Sequence, residues 1–161
     1  MQKMVINLWF DKEAEDAANF YCGIFKDSEL GRVTHYPNTG QEITGGEPGS
    51  VMTVEYELNG MSFLALNGGP LFKFNEAMSI VIYCDTQEEV DYYWGKLSAV
   101  PEAEQCGWLK DKFGVVWQVT PKRLDELLTS DDKAANERVM AAMLKMHKLD
   151  IAGLEAAAEG R

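Results

Sequence analysis

Two runs of alternating residues, VMTVEYEL (51–58) and MSFLAL (61–66), meet across Asn59-Gly60. Alternation sends successive side chains to opposite faces of a pleated strand, and Asn-Gly supplies the two positive-φ residues of a tight hairpin turn. The turn fixes the pairing, and the pairing fixes the faces. Met52, Val54, Tyr56 and Leu58 make one apolar row, so Thr53, Glu55 and Glu57 point the other way. Whatever this chain folds into must cover one side of that hairpin.

The segments before it supply the cover. MVINLWF (4–10) has the short apolar, aromatic run of a strand, and KEAEDAANFYCGIF (12–25) follows with helical spacing. Ala14, Ala17, Ala18, Tyr21, Ile24 and Phe25 form its buried stripe. SELGRVTHYP reads as a second strand, and NTGQEITGGEPGS as a loop whose glycines and Pro48 break any regular element. The order then restarts. AMSIVIYC (77–84) is a strand, and TQEEVDYYWGKL (86–97) is a helix opened by a capping box of Thr86 and Glu89. Two strands follow, around 103–110 and 115–120, the second being fed by the turn in DKFGVVWQV. Both halves therefore begin strand, helix, strand and end in antiparallel strands. Beyond Pro121 the chain reads as helical, through LDELL and then KAANERVMAAMLKMHKLDIAGLEAAA. Its stripe of Val139, Met140, Met143, Leu144 and Leu149 suits a core or a dimer contact better than a ligand box.

With 161 residues, 46% hydrophobic and 11% aromatic, the chain can fill one core or two small modules sharing one. A formal charge of -11 and a pI near 4.6 oppose the phosphate attraction that dominates nucleic-acid affinity. Nucleic acid and anionic membrane are excluded as main partners. The start, MQKMVINLWFDKEAED, has an apolar run too short for a signal-peptide core or a membrane span, so a cytoplasmic location is expected.

The familiar chemical motifs are missing. No strand runs into a G-x-G-x-x-G turn that opens a helix, which argues against a Rossmann nucleotide or S-adenosylmethionine site. No G-x-S-x-G elbow marks a nucleophile. His35 and His147 have no second ligand at metal spacing. Cys22, Cys84 and Cys106 are odd in number, widely spaced and expected to be reduced. Cys22 and Cys84 read as small core hydrophobes, while Cys106 is open to an inert or a reactive reading, the inert one favoured for want of a nearby base. NGGPLFKF has two readings: a plain link with Phe72 and Phe74 as core plugs, which is preferred, or a pocket rim built from Asn67 and the adjoining backbone.

LWFDKEAEDAANFYCGIF, GSVMTVEYELNGMSFLALNGGPLFKF, TQEEVDYYWGKLS and CGWLKDKFGVVWQVTP resemble the PhnB-like subfamily of the vicinal oxygen chelate superfamily. That superfamily includes glyoxalase I, extradiol dioxygenases and bleomycin-resistance proteins, and the subfamily is often labelled 3-demethylubiquinone-9 3-methyltransferase. The likeness runs from about residue 4 to 121, and RVMAAMLKMHKLDIAGLE is similar to the subfamily's helical tail. It implies an α+β fold of tandem βαβββ modules, about 1–70 and 71–121 within a paired region 1–121, forming a curled mixed sheet with a concave pocket. Residues 122–161 would be a C-terminal helical extension. SAVPEAEQ, before Cys106, departs from the glycines usual in the subfamily.

In metal-dependent relatives each half offers two ligands from the concave face. The resemblance puts those positions at Val5 or Asn7, Glu55, Ser79 and Gln118. Only Glu55 is anionic, which suits Fe, Ni, Zn or Mn poorly and leaves at most a weakly held hard divalent ion such as Mg. Parity still gathers Asn7, Trp9, Glu55, Ser79 and Gln118 on one lining, with Trp108 close by and Trp117 on the opposite face. Each polar member also has a plain alternative, since Glu55 can be solvated or paired across the sheet and Gln118 can simply bridge strands. The expectation is a metal-independent small-molecule-binding protein, with no cofactor, acting as a homodimer. The alternative is a lyase, isomerase or dioxygenase using Glu55 as base or weak ligand. The methyltransferase label finds no support in these residues.

Overall fold

The computed structural model describes residues 4–161; Met1 to Lys3, where the reading of the N-terminus begins, lie outside them. The chain divides into two compact units, the first ending at Phe74 and the second running from Asn75 to Arg161.

The first unit is built from β1 (Ile6–Phe10), α1 (Ala14–Ile24), β2 (Ser28–His35), a single helical turn α2 (Gln41–Thr44), β3 (Val51–Leu58) and β4 (Met61–Asn67). Its four strands form a mixed sheet in the order β1-β4-β3-β2, with β1 parallel to β4 and the other pairs antiparallel. The Asn-Gly hairpin is present: Asn59 and Gly60 take φ of 48° and 79°, and Leu58 stands opposite Met61. Strand parity follows. Leu8, Phe10, Val54, Tyr56 and Leu58 are buried beneath α1, whose stripe of Ala14, Ala17, Ala18, Tyr21 and Ile24 is buried with them. Tyr21, Tyr56 and Phe63 stack in sequence, with centroids 6.2 and 5.1 Å apart. Each such side chain contributes about 1.5–3 kcal/mol of transfer free energy. The loop expected to be irregular holds one turn of helix, bounded by Gly40 and Gly45 at φ 82° and 64°.

The second unit comprises β5 (Ile80–Cys84), α3 (Gln87–Leu97), β6 (Trp108–Lys110), β7 (Val116–Pro121) and helices α4 (Lys122–Leu128), α5 (Lys133–Met143) and α6 (Ile151–Glu159). Its sheet is β5-β7-β6, with β5 parallel and β6 antiparallel to β7. The expected capping box forms in part: Thr86 Oγ accepts from the Glu89 N–H at 3.3 Å, but the Glu89 carboxylate accepts from the N–H of Asp85, the residue before the cap, at 2.7 Å. The strand expected around 103–110 keeps only its last three residues. Pro101–Ala103 is a 3-10 turn, and Gln105 and Trp108 exchange backbone bonds across Cys106 and Gly107, at φ 39° and 89°. A two-residue turn there leaves no length for a longer strand.

The long C-terminal helix expected from 133 to 158 is divided in two. Between α5 and α6 the backbone turns its carbonyls elsewhere: Met146 O and His147 O accept from Cys106 N–H and Gly107 N–H at 2.7 and 2.8 Å, and Leu149 O accepts from Gln87. Asp150 then caps α6 by accepting from Gly153 N–H at 2.8 Å. Leu124, Val139, Leu149 and Leu154 form the core of this bundle, flanked by Met143 and Met146. Of the Met-rich stripe, Met140 and Leu144 stay exposed.

Candidate functional site

Helices cover one face of each sheet and leave the other open. On the open face of the first sheet, Asn7, Leu64 and Glu55 stand in one cross-strand row, and Trp9, Leu66, Thr53 and Thr34 in the next. The Thr34 and Thr53 hydroxyls bond at 2.5 Å. Between Leu30 and Val33 the register of β2 shifts, so Gly31 and Arg32 both lie opposite Glu55. A side chain at Gly31 would place its Cβ 3.0 Å from that of Glu55. Glycine therefore lets the bulge close, and Arg32 Nη2 reaches Glu55 Oε1 at 2.6 Å. Trp9 braces the linker instead of standing free. Its indole N–H donates to Gly69 O at 2.8 Å, its ring lies where a Cβ on Gly68 would be 2.3 Å away, and Phe72 meets it edge-on at 4.9 Å.

The second sheet repeats the geometry with other groups. Val81, Gln118 and Trp108 form its row. Gln118 donates its amide N–H to Ser79 Oγ at 2.9 Å, and Lys110, on the face of Trp108, pairs with Glu76, whose carboxyl this ammonium holds below its ordinary range. Trp117 lies on the buried face, its indole N–H donating to Asp111 Oδ2 at 2.8 Å. The alternation of Trp108 and Trp117 is thus present. Asn7, Trp9 and Glu55 belong to the first unit, and Ser79, Trp108 and Gln118 to the second.

Sequence reasoning missed Arg32, Lys110 and the Thr34–Thr53 pair. The bulge that aims Arg32 carries a weak signal in the Gly31 of SELGRVTH, since glycine within a strand often marks one. Among the described residues no three His, Cys, Asp or Glu side chains gather as a metal site requires. The single carboxylate of the superfamily's four positions is held by a guanidinium, and the amide and hydroxyl of the second unit are weak neutral donors bonded to one another.

A cleft of about 540 Å³ opens elsewhere in the first unit, at the ends of β1 and β4 and beside the start of α1. Tyr36, Gly46, Glu47, Asn67, Gly68 and Asp11 are among its walls. The linker NGGPLFKF thus gives Asn67 and its glycines to a cleft rim. Phe72 is 59% exposed and so is not a core plug, while Phe74 packs edge-on against Phe10 at 5.2 Å. The thiols are quiet: burial pushes those of Cys22 and Cys106 up, and burial with the nearby Glu89 and Asp85 carboxylates pushes Cys84 up to about 12.

Two mixed, unclosed sheets, each with a helix on one face, and helices appended at the C-terminus make this an α+β protein of the glyoxalase/bleomycin-resistance type. The model of the 3-demethylubiquinone-9 3-methyltransferase family matches residues 2–120. The chain belongs to that family, in its PhnB-like form. It is similar to a putative 3-demethylubiquinone-9 3-methyltransferase, PhnB protein, from Bacillus cereus, with 34% identity and a TM-score of 0.61 over 74% of this chain and 99% of that one. Protein PA1353 from Pseudomonas aeruginosa shares the fold at 17% identity and a TM-score of 0.55, covering 75% of this chain and 98% of that one. No curated protein matches the chain significantly.

Proposed function

We propose that this protein binds a small molecule without a metal, offering open sheet faces through Asn7, Trp9 and Glu55 in one unit and Ser79, Trp108 and Gln118 in the other. One observation carries the reading: the polar groups are already partnered, Glu55 by Arg32 and Gln118 by Ser79. Paired groups present fixed donors and acceptors, as a binding surface wants. A general base wants an unpaired carboxylate within reach of a proton, so an enzyme using Glu55 must first release it from Arg32. Methyl transfer, which the family's name carries, gains nothing from these sheets, since neither is the doubly wound parallel sheet that ordinarily holds the methyl donor.

The protein is proposed to act in the cytoplasm as a homodimer, a state to which the exposed Met140 and Leu144 lend apolar surface. Among the described residues no helix is long and apolar enough to cross a membrane. A thermal-shift screen of metabolites, run with and without Mg and Mn, tests the main reading. Hits that stabilise equally in both conditions support binding, and hits that need the metal favour the enzyme. Near-stoichiometric Zn, Ni or Fe in untagged protein, measured by plasma mass spectrometry, would overturn the metal-independent part. Light scattering at the mass of a monomer would overturn the dimer.

A further inference from the structure

Helices α4, α5 and α6 lie beyond residues 2–120, the span matched to the family. They close on a core of Leu124, Val139, Leu149 and Leu154, and α5 turns its other side outward. There Leu128, Met140, Ala141 and Leu144 line a shallow apolar groove together with Asn136 and Glu137. Met140 and Leu144, one helical turn apart, are 41% and 54% exposed. Apolar side chains aligned in this way suit a second helix laid along them.

Charge indicates what covers the groove. Two copies of this chain, each of formal charge -11, repel wherever that charge is concentrated. Residues 122–161 carry seven basic against eight acidic side chains, while residues 1–121 carry eight against eighteen. Two copies therefore meet with least repulsion through this near-neutral bundle. The charges beside the groove are also complementary to themselves. Arg123, Arg138 and Lys148 are engaged within the chain, by Glu126 and Glu155, by the carbonyls of Ala157 and Ala158, and by Asp91. Glu137 and Lys145, both exposed, have no ion pair among the described residues. They stand four residues before and four after Ala141, so an antiparallel crossing of two α5 helices about that alanine sets each Glu137 opposite a Lys145. A contact of this kind obeys the two-fold symmetry of a homodimer, and the small side chain of Ala141 permits close approach at its centre.

We propose that, given the homodimer proposed above, the α5 groove is where a second copy of this chain docks. The two α5 helices cross antiparallel about Ala141, Met140 and Leu144 of each copy pack against the other, and Glu137 pairs with Lys145 of the second copy at both ends. The apolar ridge supplies the attraction and the charged pairs fix the direction of crossing. A single helix pair sits at the small, transient end of interface sizes, so association in the micromolar range is expected.

Sedimentation velocity on the full-length chain, over concentrations bracketing that range, tests it. Met140→Glu with Leu144→Glu sets carboxylates in the contact and should weaken association by about a hundredfold. Glu137→Lys and Lys145→Glu, each bringing like charges face to face at both ends, should each weaken it by about tenfold. The two charge reversals combined should restore it to within about threefold of wild type. Restoration is a result that a general loss of stability does not produce. A wild-type dimer that these variants leave intact would overturn the α5 contact while the dimer itself stands; a wild-type monomer would overturn both. Should Met140→Glu with Leu144→Glu fail to fold, as circular dichroism would show, the charge reversals at the exposed Glu137 and Lys145 carry the test, and failure of the combined variant to recover has the same force. Phosphatidylcholine vesicles that bind the wild type but not Met140→Glu with Leu144→Glu would give the groove to a lipid surface and overturn the proposal as well.

Discussion

The two sheets share a plan and differ in where they keep their polar group. In both, the first strand pairs in parallel with the last, and a helix covers one face. The matching rows of the open faces read Asn7, Leu64, Glu55 in the first and Val81, Gln118, Trp108 in the second. Where the first sheet has an apolar residue on its shared strand, the second has an amide, and where the first has a carboxylate, the second has an indole. The carboxylate sits beside the bulged outer strand, within reach of water and Arg32. The amide sits mid-sheet, where a neutral group bonded to a neighbour costs less than a charge. Shared topology thus sets which face is open, and the surroundings of each strand decide what that face can carry.

The hairpins show the same contrast and give the largest expected effect. Asn59-Gly60 closes the first hairpin chiefly by local backbone preference, with one added bond from Asn59 N–H to Asp27 O at 2.6 Å. The second depends on Asp111, 1% exposed, whose carboxylate accepts from Phe113 N–H, Val115 N–H and the Trp117 indole at 2.8, 3.1 and 2.8 Å. Asp111→Ala orphans those donors, two of them buried, so a loss of about 3–4 kcal/mol is expected, a melting temperature lower by about 10 °C. Gly60→Ala, which strains only the turn, should cost about 1 kcal/mol. Calorimetry ranks them, and equal losses would break the contrast.

Next comes Gly68→Ala. The added methyl meets the Trp9 ring at 2.3 Å, so the ring or the linker must move, at a cost of about 1–3 kcal/mol. Trp9 fluorescence should shift with it, and an unchanged spectrum in a stable variant would show that the ring is not seated there. The second sheet answers with Gln118→Ala, for which about 1 kcal/mol is expected from the loss of the Ser79 bond at a half-buried site. Gln118→Glu should be more destabilising at pH 8 than at pH 4. Partial desolvation raises the folded-state pKa of a carboxyl there, so the penalty grows as pH rises through the unfolded value. Urea titrations at the two pH values check the sign.

Much of this was legible from alternation. The faces of Leu8, Val54 and Tyr56, the Asn59-Gly60 turn and the Thr86 cap all follow from residue type and local spacing. What escaped depends on contacts distant in sequence. Cysteine is not a turn former, so in EQCGW only Gly107 hints at the turn through Cys106 that shortens β6. The break between α5 and α6 exists because residues some 40 positions earlier take the carbonyls of Met146 and His147. The cleft is walled by Tyr36, Gly46 and Asn67, which no periodicity relates. Local rules fix faces, and long-range bonds fix partners.

The smallest effect is expected at the group with the most suggestive position. Glu55 and Arg32 meet at 2.6 Å with side chains 34% and 64% exposed, so the pair is screened by water and salt and pays side-chain entropy to hold its geometry. Arg32→Ala should therefore change stability by no more than about 0.5 kcal/mol. Its value lies in what it frees. If Arg32 merely holds the carboxylate, its removal leaves Glu55 unpaired at the one anionic ligand position, and affinity for Mg or Mn, read by calorimetric titration, should rise in Arg32→Ala but not in Arg32→Ala with Glu55→Gln. An increase in both would place the ion elsewhere on an acidic protein. No increase in either would mean that charge pairing does not set the affinity of this sheet for an ion, leaving the number of neighbouring donors to set it.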